Sequence, residues 1–419
     1  MTYRDVDRAV VDWLVGQESR AGYLDAVLAE TSRTRQRPAW SFPGRWLPVQ
    51  LTLERVAVPR WMPYAALLAL LALATAVALA LIGSARPLPP PFGLAANGLI
   101  AYTSVDGDIV VADPDTGHVR PLVTGTGEES VPVFSRDGTR IAYTRVVPDG
   151  RAVFVVPETG GTPLRLGAQA VEEVSEISWS PDGSRIAFVS GGRLLLVNTD
   201  GSGTVTELEL GDVGAIDSIA WRPPTGDQIL FRGTSSTGIR LYLTDVAGST
   251  PVAVTDAADP AVDDLAYIFP GFDPSGSRLI AQNTYPGGVI VVDLRPHSSE
   301  VAAVRELPIP AGGTVAFAPH LSPDGTRFTI FVGGDIGRLA IVPIADPASA
   351  AVTGPLITGT NFGHAWSPDG TAVLLWKATL GGTWETWLLD PTGGEARSLG
   401  LEDARDLDWQ RVAFDAAGD

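Results

Sequence analysis

The sequence predicts an all-β architecture, a seven-bladed β-propeller of four-stranded blades closed by one blade shared between its two ends, behind a short α-helical N-terminal segment and one transmembrane helix. Three observations carry this reading. One cassette recurs seven times between residues 134 and 409: a large residue, a tight Ser-Pro-Asp-Gly-like turn, then a short apolar β-rich run. The repeat region begins without a first strand and ends with a first strand that nothing follows, so its two ends complete each other. Ahead of the repeats lies an uncharged stretch rich in Ala, Leu and Val.

Residues 1–60 are expected to form a cytoplasmic helical segment. Val6, Val10, Trp13 and Leu14 fall at helical spacing, followed by Leu24, Val27 and Leu28. Neither stretch buries its face alone, so the two either pack on each other or dock on a cytoplasmic partner. Arg33, Arg35, Arg37, Trp40, Arg45 and Trp46 then interleave cations with aromatic rings, a pattern that suits anionic inner-leaflet lipid or serves only to retain this end in the cytoplasm. Residues 61–85 are expected to span the membrane: the uncharged run from Trp61 to Ala85 would cover roughly 37 Å as helix at ~1.5 Å per residue. Nine Arg lie in residues 1–60 and only Arg86 lies in the short outer flank, which orients the chain with its N-terminus inside. The long polar region before the run marks it as a signal anchor in place of a cleaved signal peptide. Residues 86–97 are Pro-rich and read as an extended, semi-rigid linker.

Residues 98–415 form the expected propeller. The cleanest cassettes are Trp179-Ser180-Pro181-Asp182-Gly183 and Trp366-Ser367-Pro368-Asp369-Gly370. Weaker ones start at Phe134, Phe272 and Leu321, Trp221 leads a longer turn, and Trp409 opens a copy with no continuation. Ser bonds locally, Pro presets φ and Gly tolerates positive φ, which is the chemistry of a tight turn between antiparallel strands. Successive anchors are 45, 42, 51, 49, 45 and 43 residues apart, the length of a four-stranded blade. Leu99–Thr103, Ile109–Asp113 and Val119–Val123 supply second, third and fourth strands, and 406–411 supplies the absent first one. The count gives seven blades, with six and eight as the alternatives. Trp179, Trp221, Phe272, Trp366 and Trp409 are expected as blade-packing anchors.

The Trp-Ser-Pro-Asp-Gly, Arg-Ile-Ala-Phe and Leu-x-x-x-Asp-x-x-Gly signatures resemble the TolB-like propeller repeat, a relative of WD-type repeats, over residues 98–411. That resemblance implies a propeller fold. For function it implies only a broad range, from periplasmic scaffold proteins to peptidase accessory domains. The whole layout, a small helical inner module, one span and an outer propeller, also resembles membrane-anchored anti-sigma regulators, though the His and Cys ligands of their zinc-binding versions are absent.

Charge is partitioned. Residues 1–60 carry nine Arg against seven Asp/Glu, and the remainder carries 21 Arg/Lys against 41 Asp/Glu, so +2 and −20 make up the net −18. Such an acidic outer domain is repelled by phosphate backbones, and nucleic acid is not an expected partner. With no cysteine, disulfides and thiolate chemistry are excluded.

Carboxylates gather in the connections that enter each first strand: Glu128, Glu129, Glu172, Glu173, Glu176, Asp212, Asp217, Asp263, Asp264, Glu402, Asp403 and Asp406. Two connections carry His320 and His364 in place of acids near the anchor. The binding candidates are therefore Glu129, Glu173, Asp264, His320, His364 and Asp406, on a face that would take a basic peptide, a cationic ligand or Ca²⁺. The bland alternative is a solvated surface. No Gly-x-Ser-x-Gly, His-Glu-x-x-His or Gly-Lys-Ser/Thr motif is present. The expected function is therefore a protein- or ligand-binding sensor or scaffold in a bacterial envelope, with no catalytic residues and no cofactor. A propeller hydrolase or lyase using channel-mouth carboxylates and His, and an anti-sigma-like regulator, are the alternatives.

Overall fold

A computed structural model of the chain describes residues 88–236, 238–248, 250–254, 271–283, 288–296, 298–308, 315–333, 336–358 and 361–414, together with Leu67, Leu70 and Leu71, which are helical and exposed. The expected inner segment, and the span apart from those three leucines, lie outside the described residues, as does Asp264. Among the described residues no helix is long and apolar enough to cross a membrane.

The described residues between 88 and 414 form seven four-stranded antiparallel sheets. Blade 1 is the shared one. Arg405–Val412 pairs with Ala96–Thr103, which continues to Ile109–Ala112 and Val119–Val123. Ile100 stands opposite Trp409, and Ala96 opposite Val412. The first strands of blades 2 to 7 are Glu129–Phe134, Glu176–Trp179, Gly214–Trp221, Gly271–Phe272, Val315–Leu321 and Phe362–Trp366. Each is followed by three further strands of its own sheet.

A twisted sheet with two apolar faces must bury both, and each blade does so against its neighbours. The core is accordingly divided into seven clusters, one at each blade–blade boundary. The cluster that joins blade 7 to blade 1 contains Leu374, Leu401, Leu407 and Trp409 together with Ile100 and Tyr102. The ring is therefore closed by packing as well as by strand pairing.

The cassette explains both the turn and the joint between blades. In four copies the serine hydroxyl donates to the Asp two residues on, as in Ser180 to Asp182 at 2.6 Å and Ser367 to Asp369 at 2.6 Å. The same hydroxyl accepts the backbone N–H that starts the next strand, from Arg185 at 2.9 Å and Ala372 at 2.9 Å. Anchor tryptophans reach across to the preceding blade. Trp179 Nε1 donates to the Val133 carbonyl at 2.9 Å, Trp221 Nε1 to Ser178 at 3.0 Å and Trp366 Nε1 to His320 at 3.0 Å. Arginines that begin second strands stack on the anchor of the following blade: Arg140 on Trp179, Arg185 on Trp221 and Arg327 on Trp366, at 4.8, 5.5 and 5.1 Å.

The residues read as linker lie against the ring. Ala96 and Asn97 pair with Val412 and Arg411 in blade 1. Ahead of them the Ala95 N–H donates to the Pro368 carbonyl at 3.0 Å, and the Asp369 N–H to Asn97 Oδ1 at 3.2 Å. Arg411 Nη2 donates to the carbonyls of Pro90, at 3.0 Å, and Gly93, at 2.8 Å. The segment thus crosses the turn face of the propeller, where Phe92 and Gly93 reach the mouth of the central channel.

Candidate functional site

The first strands run side by side around the axis, and the residues around their anchors meet in a cavity of 340 Å³ at the turn end of the channel. Residues one position before the anchor supply one layer of its wall: Ala220, Gly271, His320, Ala365 and Asp408. Three of these five are Ala or Gly, and that lack of bulk leaves the space. Residues two positions after the anchor supply the rim. Four are prolines, Pro223, Pro274, Pro323 and Pro368, but blades 2 and 1 place Arg136 and Arg411 there. Trp221, Phe272, Trp366 and Trp409 complete an aromatic wall, and Glu176 reaches in from higher up the channel.

The titratable groups of this cavity are strongly perturbed. Glu176 accepts the Ile219 N–H of the next blade at 3.1 Å, and burial pushes its carboxyl up to about 8. Asp408 accepts the Phe134 N–H of the next blade at 2.7 Å, and burial, opposed by that bond and by nearby arginines, leaves it at about 6. Burial pulls His320 down to about 4 and holds His364 well below the usual imidazole range, so both rings are neutral at pH 7. Burial lowers Arg411 to about 10, where it is still protonated. Arg136 is lowered by burial as well, and its guanidinium lies over the Phe92 ring at 5.1 Å.

Of the five described residues expected as a binding face, only His320 lines this cavity. His364 stacks on it at 4.3 Å but is buried behind it, continuing a row of rings through Phe362. Glu129 is fully buried and its Oε1 pairs with Arg145 Nε at 2.7 Å. Glu173 is exposed in the connection ahead of Glu176–Trp179, outside any strand, and Asp406 is exposed, accepting from Thr103 Oγ1 at 3.2 Å. Among the described residues no group of three or more His, Asp or Glu is placed to hold a metal ion.

A β-bulge explains why Glu129 leaves the expected face. Between Ser130 and Val133 the strand gains one residue relative to its partner, with Val131 at φ 54°. One added residue flips every side chain upstream of it to the other face of the sheet. Ala318 and Asp406, each three positions before an anchor, carry the same deviation at φ 56° and 52°. Conversely, Arg136, Arg411 and Asp408 escape the reading based on acidic connections. Their signal is in the repeat itself, since arginine stands at the position that the five other blades fill with proline.

Against known proteins the likeness is broad and shallow. No family model matches the chain. A curated protein, Tricorn protease homolog 1 of Streptomyces coelicolor, is 24% identical over 334 residues, which cover 72% of this chain and 29% of that protein. The chain thus spans under a third of that relative. Among solved structures, the periplasmic gluconolactonase PpgL of Pseudomonas aeruginosa aligns with a TM-score of 0.52 and 19% identity, covering 75% of this chain and 99% of that one. TolB from Acinetobacter baumannii aligns with a TM-score of 0.45 and 17% identity, over 80% of this chain and 70% of that one. The chain is a propeller with TolB and gluconolactonase neighbours. At these identities the likeness shows the fold alone.

Proposed function

We propose that this chain is a membrane-held binding protein whose propeller, on the outer side, takes a ligand or protein partner at the central channel and acts as a sensor or scaffold. The observation that carries the reading is the cavity at the turn end, an aromatic and proline-lined space into which a few polar groups converge, the usual form of a small-ligand site. Its carboxylates are spent on structure, since Asp408 and Glu176 each hold a backbone N–H of the next blade. The membrane part of the proposal rests on the apolar run 61–85 and the arginine asymmetry across it. Phe92 and Gly93, in the segment ahead of blade 1, lie against Arg136 and Arg411 at the channel mouth.

One observation favours a second reading, a propeller hydrolase or lyase: Glu176, with its carboxyl held near 8 in the cavity, has the property of a general acid. Two measurements on the full chain test the orientation and separate the two readings. Protease added to intact spheroplasts should degrade the propeller and spare residues 1–60; a protected propeller would overturn the orientation. Detergent-solubilised protein incubated with a metabolite mixture should retain a compound without changing its mass. Turnover abolished by Glu176→Gln would establish the enzyme instead.

A further inference from the structure

We infer that the channel cavity is a carboxylate-binding site, in which the guanidinium groups of Arg136 and Arg411 hold a small organic monoanion with an apolar body. This rests on reading the cavity as a ligand site.

The two arginines belong to adjacent blades and stand at the same repeat position, two residues after the anchor, so the fold brings their side chains to one sector of the rim. Arg136 makes no hydrogen bond or ion pair within contact distance among the described residues; its guanidinium lies over the Phe92 ring at 5.1 Å and interacts with the Asp408 carboxylate only through space. Arg411 uses Nη2 on the Pro90 and Gly93 carbonyls, while its Nε is buried without a hydrogen-bond partner. An orphaned guanidinium N–H in a buried wall costs free energy that an incoming acceptor would recover. Arg presents its donors as a planar fork matched to a carboxylate.

The charge count selects a monoanion. At pH 7 Arg136 and Arg411 are positive and Asp408 is mostly ionised, its pKa being about 6. Glu176 and His320, at about 8 and about 4, are neutral. The cavity therefore carries about one net positive charge inside a protein of net charge −18. One carboxylate neutralises it, whereas a phosphate dianion would leave excess negative charge in a partly desolvated space. The rest of the wall, Trp221, Phe272, Trp366 and the rim prolines, has little to offer a second charge but suits an apolar or aromatic body. At 340 Å³ the volume lies at the small end of ligand pockets, which run from about 300 to 1,000 Å³.

The test uses the full-length protein in detergent, with benzoate and phenylacetate as probes, benzylamine and inorganic phosphate as controls, and tryptophan emission as readout, since three indoles line the cavity. Both carboxylates should give a saturable change at concentrations up to about 10 mM, and Arg136→Gln should weaken binding at least tenfold. Asp408→Asn should tighten it, because removing the neighbouring negative charge favours an anion and disfavours a cation. That opposite sign keeps the test decisive if Arg136→Gln fails to fold. No saturable response to either carboxylate, or affinity unmoved by both substitutions, overturns the proposal. Saturable benzylamine binding would also overturn it while leaving the cavity a ligand site, whereas a compound turned over in the mass assay would sink the binding-protein reading itself.

Discussion

At the scale of single residues, the channel is governed by burial more than by the number of acids around it. Glu176 and Asp408 are two of many carboxylates, yet among the described residues only these are drawn into the cavity wall and held above their ordinary values. The sign of the stability effect follows. A carboxyl whose folded pKa is raised binds its proton more tightly in the folded state. Its contribution favours folding below the unfolded value and is lost as pH rises through the folded value. For Glu176 that window runs from the ordinary glutamate range up to about 8. Glu176→Gln keeps an acceptor for the Ile219 N–H and removes the titration. The variant should gain stability relative to the native chain as pH rises from 5 to 8, by a few kcal/mol at most at about 1.4 kcal/mol per pKa unit. Urea melts at both pH values check this, and a constant difference between the two proteins would refute the buried assignment. His320 and His364 teach a related lesson. Their similar places in neighbouring blades were visible in the sequence, but their neutral, stacked state comes from enclosure between Phe362 and the channel.

At the scale of elements, the turn cassette does two jobs that sequence alone shows as one. Gly138 and Gly183 occupy equivalent turn positions with φ of 70° and 66°, and both satisfy the local need for positive φ. Their surroundings differ. A Cβ at Gly138 would lie 2.0 Å from the Arg411 carbonyl oxygen of blade 1, whereas one at Gly183 would meet the movable end of the Arg140 side chain at 2.7 Å. Both Gly→Ala changes should destabilise by about 1 kcal/mol for the backbone conformation. Gly138→Ala should cost roughly 1–3 kcal/mol more, because the blade boundary itself must move. Thermal melts of the two variants decide it, and equal losses would show that the close approach to blade 1 is unimportant. The segment ahead of blade 1 shows the same division. Its prolines predict an extended backbone, but that Arg411 holds it across the channel mouth depends on residues over 300 positions away.

At the scale of the whole molecule, the decisive feature is the closing blade. Arg405–Val412 is the inner strand of blade 1, and Leu407 and Trp409 sit in the cluster that joins blade 7 to blade 1. Removing residues 406–419 would strip that strand, expose the edge of Ala96–Thr103 and open two blade boundaries at once. The truncated protein should aggregate or melt many degrees lower, since each blade depends on its neighbours and an open inner edge invites pairing with other chains. Light scattering during a thermal ramp measures both effects. An unchanged melting curve would contradict the shared blade.

Seven anchors at near-constant spacing, with a strand missing at one end and spare at the other, pointed to seven blades ahead of six or eight, to the strand order and to the closure. These are local and periodic properties: turn chemistry recurs where the backbone recurs, and an unpaired strand must find its partner. The site was not decided that way. Which face Glu129 joins depends on a one-residue bulge, which carboxylates are perturbed depends on what encloses them, and Arg136 and Arg411 come together only because blade 1 is assembled from both ends of the ring. Sequence periodicity places residues on equivalent positions of successive blades. Only the closed ring brings those positions to one axis, where small pre-anchor residues leave space and burial, by withdrawing water, turns ordinary side chains into a site.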